Sequence, residues 1–333
     1  MALITRQLFP SLCADNLLSQ GSAGQVFAIT RNIVFKCPTL FEDVDLSPDN
    51  RVSMEQSIAR LENEKQVYRL LSLHPHPHLL QGILCVREGL FMPRLDTTLT
   101  VRLSSETSPH LQERWIRQLV SAAAWLEMLG YAHGDLRPQN ILLDQSSNVV
   151  VADFDATVQI GGELQLATLP FCKVDENFEP PPAGPESERF SLGSCIYNIR
   201  FGFPPFSNLE LGSPVWRQRL VRKEFPPTSN DVYGPIIEGC WHGVFPSISA
   251  LQSEIFKISG PQSTSYLQAT STRTTSYLRS WFLLAQCQGF LAEQRLGSAG
   301  SLARKIQLRC QLVLWSIARF GLSVICGGGS STA

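Results

Sequence analysis

No Cys-x-x-Cys pair occurs in the sequence, and its nine cysteines are dispersed without regular spacing. That pattern argues against a disulfide frame or a zinc ribbon and for free thiols in a reducing compartment. The opening residues, MALITRQLFPSLCADN, have no sustained apolar core, so no secretory signal is evident. The most apolar late run, QLVLWSIARFGLSVIC, is interrupted by Arg319 and falls short of the ~20 residues a membrane span requires. A net charge of -1 gives no sign of a nucleic-acid or polyanion surface. What remains is an ordinary globular balance, 44% hydrophobic and 17% charged. At 333 residues the chain holds one large domain or two ordinary ones. A soluble intracellular protein, cytoplasmic by default, is the expectation.

Acids are scarce in one region. Residues 261–333 contain only Glu293 against seven bases, leaving 21 bases and 28 acids in the body before them. This basic extension opens with GPQSTSYLQATSTRTTS, which reads as a linker, and closes with CGGGSSTA. Between them SLARKIQLRCQLVLWSIARF has the pattern of an amphipathic helix. A loosely docked or disordered extension is expected over 259–333. A reading frame that runs past the natural end would also explain the loss of acids.

The body begins with strand-like runs, QVFAIT and NIVFKCP. Alternation puts Val34 and Lys36 on one face of the second run, with Ile33, Phe35 and Cys37 on the other. A helical pattern follows: Met54, Ile58, Leu61, Tyr68 and Leu71 step by three or four, and Glu64 fills the gap. A carboxylate on the packing face needs a cation, and a lysine in an apolar strand needs a partner, so a Lys36–Glu64 ion pair is expected. At the edge of the stripe, Glu64 would simply be solvated. LCVREGLFMPRL reads as a hairpin and connector. LQERWIRQLVSAAAWLEMLG reads as a helix burying Trp115, Leu119, Ala123 and Leu126 and stopping at Gly130. NVVVAD is a buried strand opening onto Asp153, and helical material resumes at SERFSLGSCIYNIRFG. A β-rich first part and a helix-rich second part imply two lobes.

Three polar stretches carry chemistry. SQGSAGQVF places Gly21 and Gly24 in a turn between strands, where backbone N–H groups can approach phosphate oxygens without a Cβ in the way. YAHGDLRPQNILLD gathers His133, Asp135, Arg137 and Asn140 before a strand, and VADFD follows with Asp153. Alone, the first reads equally well as a common glycine-rich hairpin and the second as a solvated turn. Their order is what adds weight.

In that order the sequence resembles a eukaryotic protein kinase domain, whose motifs appear as SQGSAGQV, VFKC, ENEKQVYRLL before HPHPHLL, HGDLRPQN and VADFD. With IIEGCWHGVFPSISAL further on, the cast is similar to the divergent kinase-like proteins of filamentous fungi. The resemblance covers about residues 15–258, and implies an α+β fold with an N-lobe at about 15–92 and a C-lobe at about 96–258. It implies ATP and Mg²⁺ as cofactors and a protein hydroxyl, serine or threonine by Pro138, as acceptor. The nucleotide would be held by Ser19, Gly21, Gly24, Val26 and Lys36, with Glu64 anchoring Lys36. Asn140 and Asp153 would be metal ligands, and Asp135 would take or orient the hydroxyl proton. Arg137 would stand near the transferred phosphate. His133 reads as a packed histidine, and His74, His76 and His78 as a stiff exposed turn rather than a metal site. The hinge falls near Met92–Leu95.

Departures from the pattern are equally informative. Ser19 replaces the first loop glycine. Gly134 replaces the arginine that grips a loop phosphate in the family, and only Thr157 and Thr168 lie between Asp153 and Ser187 to accept one. The resemblance therefore implies activity without loop-phosphate control. Asp155 replaces the glycine after Asp-Phe and adds a carboxylate near the metal ligands. Phe245 stands where a late-helix arginine is usual, and Glu188 where an aspartate opens the next helix. These departures keep two other readings open: a pseudokinase scaffold, nucleotide-bound or empty, and a kinase-like enzyme acting on small molecules. Substrate, regulator and oligomeric state are not legible.

Overall fold

A computed structural model describes residues 7–41, 47–95, 97–258 and 269–296, with side chains of the last segment from 280 onward. The chain divides into two compact units. The first comprises residues up to 58, residues 82–94 and the C-terminal segment from 265; the second comprises 59–81 and 95–264.

The first unit is built on an antiparallel sheet. Its strands are β1 (Leu17–Gly21), β2 (Gly24–Thr30), β3 (Ile33–Cys37), β4 (Leu84–Cys85) and β5 (Leu90–Pro93), in the order β1-β2-β3-β5-β4. Val26 and Leu90 flank Lys36 on the neighbouring strands. Alternation along β3 works as expected: Ile33, Phe35 and Cys37 enter a core with Phe9, Leu12, Phe27 and Phe91. The Phe35 and Phe91 rings lie 4.6 Å apart.

Helix α1 (Pro48–Leu73) starts in the first unit and continues into the second. Leu61, Glu64, Tyr68 and Leu71 are buried as the period predicts, but Ile58 is 40% exposed. Ser57 takes the inward position instead, because its hydroxyl accepts the backbone N–H of Thr39 at 2.9 Å. A polar requirement there outweighs an apolar one.

In the second unit, β6 (Thr97–Thr98) leads into the short α2 (Leu99–Leu103) and then α3 (Pro109–Met128). The α3 helix is capped by the Ser108 hydroxyl with Pro109 in its first turn, and it buries Trp115, Leu119, Ala123 and Leu126. Strands β7 (Tyr131–Ala132), β8 (Ile141–Leu143), β9 (Val149–Val151) and β10 (Val158–Gln159) form two small sheets, β6-β8-β9 and β7-β10. The helices α4 (Pro185–Phe201), α5 (Pro214–Val221), α6 (Gly234–His242) and α7 (Ile248–Ile258) complete the unit. Phe245 is buried, and its ring lies against Gly239 of α6, an apolar contact where the resemblance suggested an arginine.

The extension differs from the sequence reading. Helix α8 (Ala269–Leu296) begins inside the stretch read as a linker, and its Leu283, Cys287 and Leu291 are buried in the first unit's core. These residues recur at helical spacing on one face. Phe290 adds ring contacts to Phe9 and Phe91 at 5.6 and 5.8 Å. The helix expected at 301–320 and the linker's first residues lie outside the described residues.

Candidate active site

Asp135 sits in the loop between β7 and a 3-10 turn at Pro138–Asn140, and it is buried. Its Oδ2 accepts from Arg137 Nε at 2.9 Å and from Asn140 Nδ2 at 2.9 Å. The same Asn140 nitrogen also donates to the Asp135 backbone carbonyl at 2.8 Å. Asn140 is held from behind as well, since its own carbonyl accepts the N–H of Ala152. The structure thus brings Asp135, Arg137 and Asn140 into one bonded group. Asp135 also borders a small cavity with Leu164, Thr168, Phe171 and Cys172. Burial, with Glu188 and Asp135 nearby, pushes the Cys172 thiol up to about 12, so it stays protonated there.

The loop is held by backbone contacts. His133 is fully buried; its Nδ1 accepts the N–H of Asp135 at 3.3 Å and its Nε2–H donates to the Ala152 carbonyl at 3.1 Å. Both ring nitrogens are committed to the main chain, which fits the packed role read from the sequence. Glu188, in the first turn of α4, accepts the N–H groups of His133 at 3.0 Å and Gly134 at 3.2 Å. Burial raises its carboxyl above the ordinary range, opposed by those two bonds.

Gly134 has a physical reason for being glycine. Its φ is +81°, and a Cβ there would lie 2.3 Å from the Ala156 carbonyl oxygen. No arginine fits that backbone. Thr157 is buried beside it, and its hydroxyl donates to the His133 carbonyl at 3.2 Å. One of the two loop threonines is therefore already committed.

Asp153 adopts a left-handed conformation with φ 67° and ψ 68°, which is uncommon for a residue with a Cβ. Phe154 follows, fully buried between the rings of Tyr68 on α1 and His133, at 5.3 and 5.5 Å. The Asp155 carboxylate, expected near the metal ligands, is buried with Arg60 Nη1 of α1 at 3.6 Å. Asn63 of α1 donates to the carbonyls of Asp155 at 3.0 Å and Thr157 at 2.8 Å. The sequence reading missed Arg60 and Asn63. Helical spacing sets both near Glu64 on α1, but nothing local to α1 points to residues 155–157 as their partners. Glu64 itself is fully buried, and next to it the buried Lys65 pairs with Glu62 at 2.6 Å.

The remaining candidates belong to the first unit. Gly21 and Gly24 close a tight hairpin over Ser22 and Ala23, with Ser19 exposed on β1 and Val26 on β2. The two glycines differ in what requires them. A Cβ at Gly24 would lie 2.1 Å from the Cys37 carbonyl oxygen, so packing against β3 excludes any other residue. Around Gly21 a Cβ would meet nothing within 4 Å, which leaves its backbone accessible. Lys36 is buried on β3.

The protein kinase domain family model matches residues 14–232, and the chain belongs to that family. Its fold is the two-lobed α+β fold of protein kinases. The chain is similar to human serine/threonine-protein kinase MRCK gamma, 30% identical over 150 residues that make up 40% of this chain and 10% of that protein. It is similar to maternal embryonic leucine zipper kinase of Danio rerio, 32% identical over 100 residues, 28% of this chain and 15% of the relative. Flippase kinase 1 of Saccharomyces cerevisiae is 26% identical over 221 residues, 57% of this chain and 24% of the relative. The chain therefore spans at most about a quarter of the length of these three curated relatives.

Proposed function

We propose that this chain is an ATP- and Mg²⁺-dependent protein kinase. It would transfer the γ-phosphate to a serine or threonine hydroxyl of a protein without control by loop phosphorylation. The observation that carries the reading is the arrangement at Asp135. Arg137 and Asn140 both bond Oδ2, which leaves Oδ1 to receive a hydroxyl proton. General-base geometry of this kind needs a carboxylate fixed in direction, and two donors on one oxygen provide that.

The residues present also suit the cofactors. Asn140 uses its NH₂ group on Asp135, so the oxygen of the amide is what it can offer to a metal. With the Asp153 carboxylate it makes a set of hard oxygen donors appropriate to Mg²⁺. When bound, the ion would neutralise charge on the transferring phosphate. Lys36 would hold the α- and β-phosphates, and the hairpin at Gly21 would bring backbone N–H groups to them. Arg137, bound to Asp135 on one side, would present its remaining donors to the transferred phosphate.

Independence from loop phosphorylation is supported by Gly134, which admits no phosphate-gripping side chain, and by the buried hydroxyl of Thr157. Serine or threonine as acceptor is supported by Pro138 in the loop and by the similarity to a serine/threonine-protein kinase, MRCK gamma. A reducing, cytoplasmic setting is supported by the free thiols, of which Cys37, Cys172, Cys195, Cys240 and Cys287 are buried. The yeast relative, which matches more than half of this chain, supports the fungal character.

Nucleotide binding is tested by thermal unfolding with and without Mg·ATP. At about 100 times its dissociation constant the ligand should stabilise the protein by roughly 2.7 kcal/mol. Lys36→Ala should lose most of that shift. A melting temperature indifferent to Mg·ATP would favour an empty scaffold.

A further inference from the structure

We infer that Arg60, Asn63 and Asp155 form a permanent latch that fastens helix α1 to the segment after Asp153. They assemble the site with charges built into the chain, where the family uses a loop phosphate. This inference deepens the kinase reading and rests on it for its catalytic consequence.

The argument starts from Asp155. Its side chain is only 4% exposed, and a carboxylate so buried is costly unless a cation accompanies it. Arg60 provides one at 3.6 Å from its own 20%-exposed position on α1. One turn further along the helix, Asn63 bonds the carbonyls on either side of Ala156. Arg60, Asn63 and Glu64 stand at i, i+3 and i+4, so the latch and the buried glutamate move as one rigid piece of helix.

The latched segment has a second attachment. Thr157 bonds the His133 carbonyl, and Ala156 packs its carbonyl against Gly134. Residues 155–157 thus join α1 to the loop that carries Asp135. Two residues before Asp155, Asp153 holds a left-handed backbone that persists only where its surroundings over-determine it. The ties at 155–157 supply that constraint.

The chemistry of the departures then becomes coherent. An arginine before Asp135 would need an anion added from outside. Here the anion is Asp155, the cation is Arg60, and Gly134 leaves room for the segment to lie against the loop. All three are positioning residues, acting through Asp153 and α1.

The test uses the full chain as wild type, Arg60→Gln, Asp155→Asn, the double variant and the conservative Arg60→Lys. Amide hydrogen exchange over residues 153–157, without ligand, reads the latch independently of catalysis. Each neutralising variant should exchange faster, the double no faster than either single, and Arg60→Lys close to wild type. Exchange unchanged in the singles, or effects that simply add in the double, would overturn the latch. In phosphotransfer, the neutralised variants should need roughly 10-fold more Mg²⁺ for half-maximal rate, as expected when the support of a metal ligand is removed. A general loss of fold would not move that midpoint; an unmoved midpoint in an active protein overturns the catalytic role. If the wild type neither binds Mg·ATP nor transfers phosphate, the kinase reading fails while the exchange result still decides the latch.

Discussion

A Cβ on residue 134 would lie 2.3 Å from the carbonyl oxygen of Ala156. The missing arginine of the loop is therefore a consequence of how the segment after Asp153 packs. Gly134→Arg, which restores the family residue, should damage the protein. With φ at +81° and a clash against main chain, the cost should be about 2 kcal/mol or more. Chemical denaturation checks this; a Gly134→Arg protein as stable as wild type would show that the backbone can rearrange around a side chain.

The histidines of the His-Pro turn lead to a pH prediction. His76 stacks on Trp125 at 5.6 Å and contacts the Ser121 hydroxyl, and His78 Nδ1 bonds the Val149 carbonyl. Burial, with His78 adding repulsion, lowers His76 to about 4, and burial lowers His78 as well. A lowered pKa means the unfolded chain takes up protons that the folded one refuses. The stabilisation is then complete above about 6.5 and drains away as pH falls toward 4. Melting temperature should fall across that window, and His76→Gln should flatten part of the slope. An identical slope in the variant would remove His76 from the account.

Helix α8 makes a prediction about chain length. Leu283, Cys287 and Leu291 cover Phe9, Phe35 and Phe91, and full burial of a large apolar side chain contributes roughly 1.5–3 kcal/mol. Gln286 and Arg295 add polar contacts to Thr30 and Glu88. A chain ending at 258 should melt lower or aggregate, whereas one ending at 296 should melt close to the full chain. Leu283→Ala should cost about 2 kcal/mol. Equal stability of the 258-residue chain would show that α8 is dispensable.

How much was legible follows from what fixed each residue. The faces of β3 and the buried side of α3 followed from period alone, because apolar burial repeats with the backbone. The polar stretch around Asp135 was legible because its chemistry dictates residue type at close spacing. Ser57 in place of Ile58 was hidden, since the demand came from one N–H on Thr39. Helix α8 was hidden by its serine- and threonine-rich beginning, which imitates a linker. The Arg60–Asp155 pair joins residues far apart in sequence, and no local pattern announces such a partner. Its buried carboxylate is visible only once the fold places it.

The most direct test of the central claim is phosphotransfer by protein that carries no phosphate of its own. Full-length chain, freed of phosphate by a phosphatase that is then removed, would be given Mg²⁺, terminally labelled ATP and a generic protein acceptor. The account predicts label on serine or threonine of the acceptor from the outset, and its loss in Asp135→Asn. Label transferred equally by Asp135→Asn, or transfer that begins only after Thr168 is phosphorylated, would contradict it.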